Sequence, residues 1–190
     1  MRLLGVASPA SHRKHKTLRS PDPTYVIVDI DGTIADVRHR LHHIHGPKKK
    51  NWPAFFSGMD SDAPIENMIE YVQKLAADHR ILIVTGRPEQ YRPRTERWLS
   101  AHGVPCHKLF MRRNGDHRPD YESKAEILTG FHGKQIVLAI DDRPPVCDMW
   151  ERNGVRCMRV QSDVESQQVN EIYRRKPRRV KRRSTVTAIN

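Results

Sequence analysis

Two aspartates stand two residues apart in the run Asp29-Ile30-Asp31-Gly32-Thr33, directly behind the apolar stretch Tyr25-Val26-Ile27-Val28. Such a stretch reads as a buried strand, and Gly32 marks its end. Strand side chains alternate faces, so the two carboxylates would share a face only if the strand continued; ended here, they sit at its C-terminal mouth. In a parallel α/β sheet that mouth is where ligands bind. Adjacent carboxylates repel each other unless a cation or a shared proton relieves them. A hard divalent ion with a preference for oxygen, Mg2+, is the expected occupant.

Three further segments bring polar chemistry to an element's edge. Ile81-Leu82-Ile83-Val84 leads into Thr85-Gly86-Arg87, Ile136-Val137-Leu138-Ala139-Ile140 leads into Asp141-Asp142-Arg143, and Lys124 opens a helical stretch between them. One Asp-x-Asp says little, because Asp-rich turns are common. The ordered set over about residues 24 to 160 resembles the haloacid dehalogenase (HAD) superfamily of phosphohydrolases.

That resemblance implies roles. Asp29 is the expected nucleophile, forming an aspartyl-phosphate, and Asp31 the expected general acid for the leaving oxygen and general base for water. Thr85 and the Gly86 amide are expected to donate hydrogen bonds to the transferring phosphate. Lys124 is expected to neutralise the phosphate and the Asp29 carboxylate together. Mg2+ is expected on Asp29, on the backbone carbonyl of Asp31, and on one aspartate of the Asp141-Asp142 pair. Neighbouring strand-end residues point different ways, so Asp141 is favoured as the direct ligand with Asp142 behind it, a choice the sequence leaves open.

Positioning these groups requires a particular chain organisation. After the first motif, some fifty residues precede the second, more than one crossover helix needs. Residues 36–63 are therefore expected to form a small helical cap: a polar, His-rich segment, a Gly46-Pro47 break, Lys48-Lys49-Lys50, then Trp52, Phe55 and Phe56. Those aromatics read as the cap's own small core, or with the lysines as a phosphate-and-stacking patch. Ile65, Met68, Ile69, Val72, Leu75 and Ala76 keep the 3.6 period of a crossover helix, with Pro64 in its first turn. A second amphipathic face, Tyr91, Thr95, Trp98 and Leu99, ends at Gly103; helices are expected over 121–128 and 145–152, and strands over 109–111 and 155–160. The alternation predicts an α/β fold with a parallel sheet covered on both faces. The resemblance specifies it as a HAD-like, Rossmannoid, doubly wound sheet with the first motif's strand in the middle and the cap inserted after it.

Charge is unevenly distributed along the 190 residues. Residues 174–183 carry eight basic groups and no acid, and residues 1–23 carry five basic groups and one acid, which together account for the whole net charge of +12. Residues 24–173, the expected phosphatase domain, are electrically balanced. The leader 1–23 and the tail 174–190 are expected to be disordered, the tail acting as an arm for nucleic-acid backbones. Cys106, Cys147 and Cys157 form no Cys-x-x-Cys, which argues against a disulfide framework or a cysteine zinc site. No apolar run reaches the roughly 18 residues of a membrane span, and the N-terminal apolar stretch is too short for a secretory signal, so a cytoplasmic, membrane-free setting is expected.

Beyond the superfamily motifs, Asp-Ile-Asp-Gly-Thr-Ile-Ala-Asp, Thr-Gly-Arg-Pro-Glu, Met-Arg-Arg-Asn-Gly-Asp-His-Arg-Pro-Asp and Ile-Asp-Asp-Arg-Pro resemble the phosphatase half of bacteriophage-type polynucleotide kinase/phosphatases. This implies 3′-phosphate removal from DNA or RNA ends, in nucleic-acid repair in a bacterial or phage-infected cytoplasm. It also implies that Arg87 reaches a backbone phosphate with its planar fork. Arg112, Asp116 and Arg118 would border the substrate channel. A 5′(3′)-nucleotidase acting on nucleoside monophosphates shares much of this pattern, and a third reading is a non-catalytic nucleic-acid-binding protein of the same fold. No Gly-x-x-x-x-Gly-Lys-Ser/Thr occurs in these residues, so no kinase activity is expected of them. His39 and His43 lie one helical turn apart, but without a His-Glu-x-x-His pattern a zinc site is not expected.

Overall fold

The computed structural model describes residues 22–45, 49–131 and 135–160. Residues 1–21, the Gly46-Pro47-Lys48 stretch, residues 132–134 and everything from 161 onward, including the basic tail, lie outside the described residues.

The apolar runs become strands of one parallel sheet. β1 (Thr24–Val28) ends before Asp29; β2 (Ala35–Asp36) follows, and the cap holds a 3-10 turn at Arg38–His43, α1 (Trp52–Ser57) and a 3-10 turn at Met59–Ser61. β3 (Ala63–Pro64) pairs antiparallel with β2, closing the neck of the insertion. Then come α2 (Glu66–Leu75), β4 (Arg80–Pro88), α3 (Arg92–Ala101), β5 (Lys108–Arg112), α4 (Asp120–Thr129), β6 (Gln135–Asp141), α5 (Pro144–Arg152) and β7 (Cys157–Arg159). The sheet order is β5-β4-β1-β6-β7, with β1 in the middle.

The period-2 alternation of β1 divides the core. Val26 and Val28 face α2 and α3 through Met68, Ile69, Val72, Trp98 and Leu99, while Tyr25 and Ile27 face the other side with Val146, Met149 and Trp150 of α5. Both faces of β1 are covered, which is why it reads as a continuous apolar run.

Two local expectations need correction. Pro64 does not open the crossover helix: it sits in the β2–β3 neck, and Ile65 is the N-cap of α2. Strand β4 also runs on through Thr85-Gly86-Arg87 to Pro88, with a register shift against β5 between Thr85 and Pro88. Such an irregularity re-aims side chains at a sheet's edge of function.

Candidate active site

Parallel registration places the motif residues side by side. Val28 pairs with Ile83 on β4 and Ile140 on β6, so Asp29, the Thr85 region and Asp141 emerge together at the C-terminal end of the sheet. Beyond Asp29 the chain folds back at once: the amides of Thr33, Ile34 and Ala35 all donate to the Ile30 carbonyl, at 3.0–3.1 Å. This turn needs Gly32 at φ +85°, a left-handed conformation that side chains disfavour. A Cβ on Gly32 would also land on Asp142 Oδ2. Gly32→Ala is thus expected to cost at least about 1–2 kcal/mol from the backbone alone, seen as a lower Tm, and to displace Asp142.

Lys124, carried by α4, is a buried cation among the carboxylates. Its ammonium donates to Asp29 Oδ1 at 2.8 Å and Asp141 Oδ2 at 2.7 Å, and lies 3.5 Å from Asp120 Oδ2. Burial pulls its pKa down, but Asp141, Asp29 and Asp120 outweigh that and hold it charged. Asp29, Asp141 and Asp142 can each present an oxygen within 4.8 Å of the others. Burial, the largest influence on Asp29, pushes its carboxyl up, with Asp141 and Asp142 adding to this and Lys124 opposing it. Burial and then Asp141 push Asp142 up to about 6. Carboxylates crowded this way call for a further cation.

The hydrogen bonds distinguish Asp141 from Asp142. Both oxygens of Asp141 have protein donors, Oδ1 from the Arg143 amide at 3.1 Å and Oδ2 from Lys124. Asp142 Oδ1 is buried without a partner among the described residues. An orphaned buried acceptor in a carboxylate cluster fits a metal ligand, and Asp141 lies in the same cluster. Asp31 does not join the three through its side chain.

Asp31 is instead gripped by two arginines. Its Oδ1 accepts from Arg40 Nη2 at 2.8 Å and from Arg87 Nε and Nη2 at 2.9 and 2.5 Å. Both guanidiniums also bind Asp62: Arg40 Nε and Nη2 at 2.7 and 2.6 Å, Arg87 Nη2 at 2.8 Å. Burial alone would raise Asp31, but Arg87 and then Arg40 overcome it and hold the carboxyl low. Arg87, the residue expected to reach a nucleic-acid backbone, is fully buried and binds two carboxylates through Nε and Nη2, while its Nη1 has no partner among the described residues. His39 Nε2 sits on Asp62 Oδ1 at 2.9 Å. Asp62→Ala would leave two buried cations facing Asp31 alone, and a loss of about 3–5 kcal/mol is expected in urea unfolding.

Arg112 lies beside the Thr85-Gly86 strand end. It staples its own loop, donating to the carbonyls of Gly86 at 3.1 Å and Arg118 at 2.7 Å and to Asp120 Oδ1 at 2.8 Å. Arg118 is half-exposed and held by Asp116 and Glu126. Thr85 is buried, with Oγ1 accepting from the Arg87 amide at 3.3 Å. A Cβ on Gly86 would lie 2.6 Å from Asp120 Oδ1, so glycine allows strand and helix to meet there.

Sequence reasoning assigned no role to Arg40, Asp62, Asp120 or Arg143. Asp120 had a signal, one helical turn ahead of Lys124 on the same face. Arg143 follows the paired aspartates and reaches Asp120 Oδ2 at 3.4 Å from an exposed position. Arg40 and Asp62 had none, being ordinary charges within a polar insertion.

Comparison with known proteins places this geometry. Residues 23–164 match the family of the polynucleotide kinase PNKP phosphatase domain. A solved Pnkp1/Rnl/Hen1 RNA repair complex contains a chain similar at 29% identity and TM-score 0.60, covering 78% of this chain and 47% of that one. Another Pnkp1/Rnl/Hen1 complex gives 26% identity and TM-score 0.61, covering 75% and 47%. This chain thus spans about half the length of those it resembles. A HAD family enzyme from Bacteroides thetaiotaomicron, solved with magnesium and inorganic phosphate, shares the fold at 10% identity and TM-score 0.51, covering 77% of this chain and 98% of that one. With a family match over most of its length, the chain belongs to the PNKP phosphatase-domain family of HAD phosphatases.

Proposed function

We propose that the protein is a Mg2+-dependent phosphomonoesterase that removes 3′-phosphates from DNA or RNA ends. The observation that carries this reading is buried Lys124 bridging Asp29 and Asp141 beside the unpartnered oxygen of Asp142. Asp29 attacks phosphorus and the ester P–O bond breaks; Asp31, whose carboxyl Arg87 and Arg40 hold low in the resting site, takes up a proton from solvent as substrate binds and gives it to the departing oxygen. Asp31 then takes a proton from the water that attacks the aspartyl-phosphate, releasing inorganic phosphate and restoring Asp29. Thr85 and the Gly86 amide hold the transferring oxygens, and Lys124 balances their charge. Bound by Asp29, Asp142 and the Asp31 carbonyl, Mg2+ would supply the positive charge that lets carboxylates and phosphate lie together.

Support for a nucleic-acid substrate comes from the family match and from the RNA repair complexes among the similar structures. In this reading residues 24–173 form the phosphatase domain, 36–63 its cap, 1–23 a basic leader, and the basic segment 174–190 engages the backbone of a cytoplasmic nucleic acid. Among the described residues no helix is long and apolar enough to cross a membrane. The test compares kcat/KM for a 3′-phosphorylated oligonucleotide, its 5′-phosphorylated counterpart and nucleoside monophosphates in Mg2+. Preference for the 3′-phosphorylated strand is expected; equal or better use of mononucleotides would favour a nucleotidase.

Asp142 supplies a further prediction. Because its folded carboxyl is raised to about 6, the metal-free protein holds that proton more tightly than the unfolded chain. The resulting stability is present at low pH and lost as pH rises through about 6. Asp142→Asn removes the buried charge, so above pH 7 the variant in EDTA is expected to be more stable than wild type by about 1–3 kcal/mol. Its Tm rise on adding Mg2+ should disappear. An undiminished Mg2+ response would return the direct ligand to Asp141.

A further inference from the structure

The cap carries a surface that the phosphate chemistry does not use. Phe55 and Phe56 are buried in α1, yet Trp52 is 43% exposed, the most exposed large apolar side chain among the described residues. Its ring is held in place, stacked on Phe56 with centroids 5.9 Å apart and 22° between planes, and edge-on to Phe55 at 5.7 Å. Phe56 in turn packs 5.2 Å from Tyr91. The start of α1 is fixed as well: Asn51 Oδ1 accepts from the Ala54 amide at 3.1 Å, and the Asn51 amide donates to the His43 carbonyl at 2.9 Å.

A cation lies beside this ring. Lys50 Nζ lies 5.6 Å from the Trp52 ring centroid. Lys49 and Lys50 are exposed, and neither has a carboxylate partner among the described residues. The patch is also tied to the reaction centre. The Arg40 guanidinium lies 4.1 Å over the Phe55 ring and donates to Asp31 Oδ1 at 2.8 Å, so two side chains separate Trp52 from Asp31.

We infer that Trp52, with Lys49 and Lys50, forms a stacking subsite for a nucleobase of the strand whose terminal phosphate enters the Asp29 site. A rigid, exposed indole offers the π-face that any base can use, and unpaired lysines offer charge to the flanking phosphates. When the base takes the ring, the Lys50 ammonium moves from the indole to a phosphate, exchanging a cation–π contact for an ion pair. The subsite rests on the 3′-end reading above, and would give that site its preference for a polymer over a small phosphomonoester.

The test measures kcat/KM for a single-stranded 3′-phosphorylated oligonucleotide and for β-glycerophosphate, which has no ring to stack. Trp52→Ala is expected to lower the oligonucleotide value by about 10-fold or more, from the usual worth of one base–aromatic stack. Glycerophosphate hydrolysis should stay unchanged, and Trp52→Phe should recover most of the loss. Equal loss on both substrates, or on neither, would overturn the subsite. A wild type that does not prefer the oligonucleotide would instead sink the 3′-end reading and the subsite with it. A second readout needs no Trp52 variant: Trp98 and Trp150 are buried, so acrylamide quenching reports mainly on Trp52. In Asp29→Asn protein the oligonucleotide should protect that fluorescence, and unchanged quenching would contradict the proposal.

Discussion

Asp29→Asn is expected to reduce phosphate release by at least about 10⁴-fold, the scale on which removing one member of a concerted catalytic group acts. The amide keeps the shape of the carboxylate and an acceptor for the Lys124 ammonium, which retains Asp141 as its anion. What is lost is the anionic oxygen that attacks phosphorus. The fold should survive, because Asp29 is a buried acid pushed up by burial and by Asp141 and Asp142. Neutralising it removes that repulsion. In EDTA the variant should therefore melt no lower than wild type, while its turnover with any phosphomonoester is abolished. Inactivity accompanied by a collapsed Tm would instead point to a structural role.

Asp31→Asn should lose about 10² to 10⁴ in turnover, the usual share of general acid–base catalysis. Its stability should change in the opposite direction to that of Asp29→Asn. Arg40 and Arg87 are both fully buried, and the substitution leaves Asp62 as their one carboxylate partner. Removing one partner of a buried ion network costs about 3–5 kcal/mol, and the retained amide oxygen places this variant at the lower end. The kinetic signature is specific. An aryl phosphate, whose leaving group needs no proton, should still phosphorylate Asp29 in a first turnover and then stall, because the attacking water lacks its base. A variant that is slow equally in both half-reactions with such a substrate would contradict this division of labour.

The parts of the site that were legible in the sequence lie where an apolar run stops. Asp29, Thr85 and Asp141 each follow an apolar run, and a parallel sheet necessarily brings such endings together. Lys124 was legible through its place between the second and last motifs. The choice between Asp141 and Asp142 was not, because it depends on which carboxylate the Arg143 amide and Lys124 already satisfy. The clamp on Asp31 was hidden for a related reason. Arg87 meets Asp31 across 56 positions and Arg40 meets Asp62 across 22, and local spacing carries no trace of either pairing. Read locally, Arg87 offers a planar fork to a phosphate; the fold turns its Nε and Nη2 onto Asp31. The length of β4 was not legible because its apolar run stops at Val84, whereas the strand continues to Pro88 and Gly86 lets Asp120 approach it closely.

The most direct measurement of the central claim follows the phosphate itself. An oligonucleotide carrying a radiolabelled 3′-phosphate is mixed with excess protein in Mg2+, quenched in acid within one turnover, and the protein is digested and mapped. Label should appear transiently on the peptide containing Asp29, at a rate matching loss of the 3′-phosphate, and should be absent from Asp29→Asn and from reactions in EDTA. Release of inorganic phosphate at the full rate with no label passing through Asp29, or undiminished release in EDTA, would contradict the account.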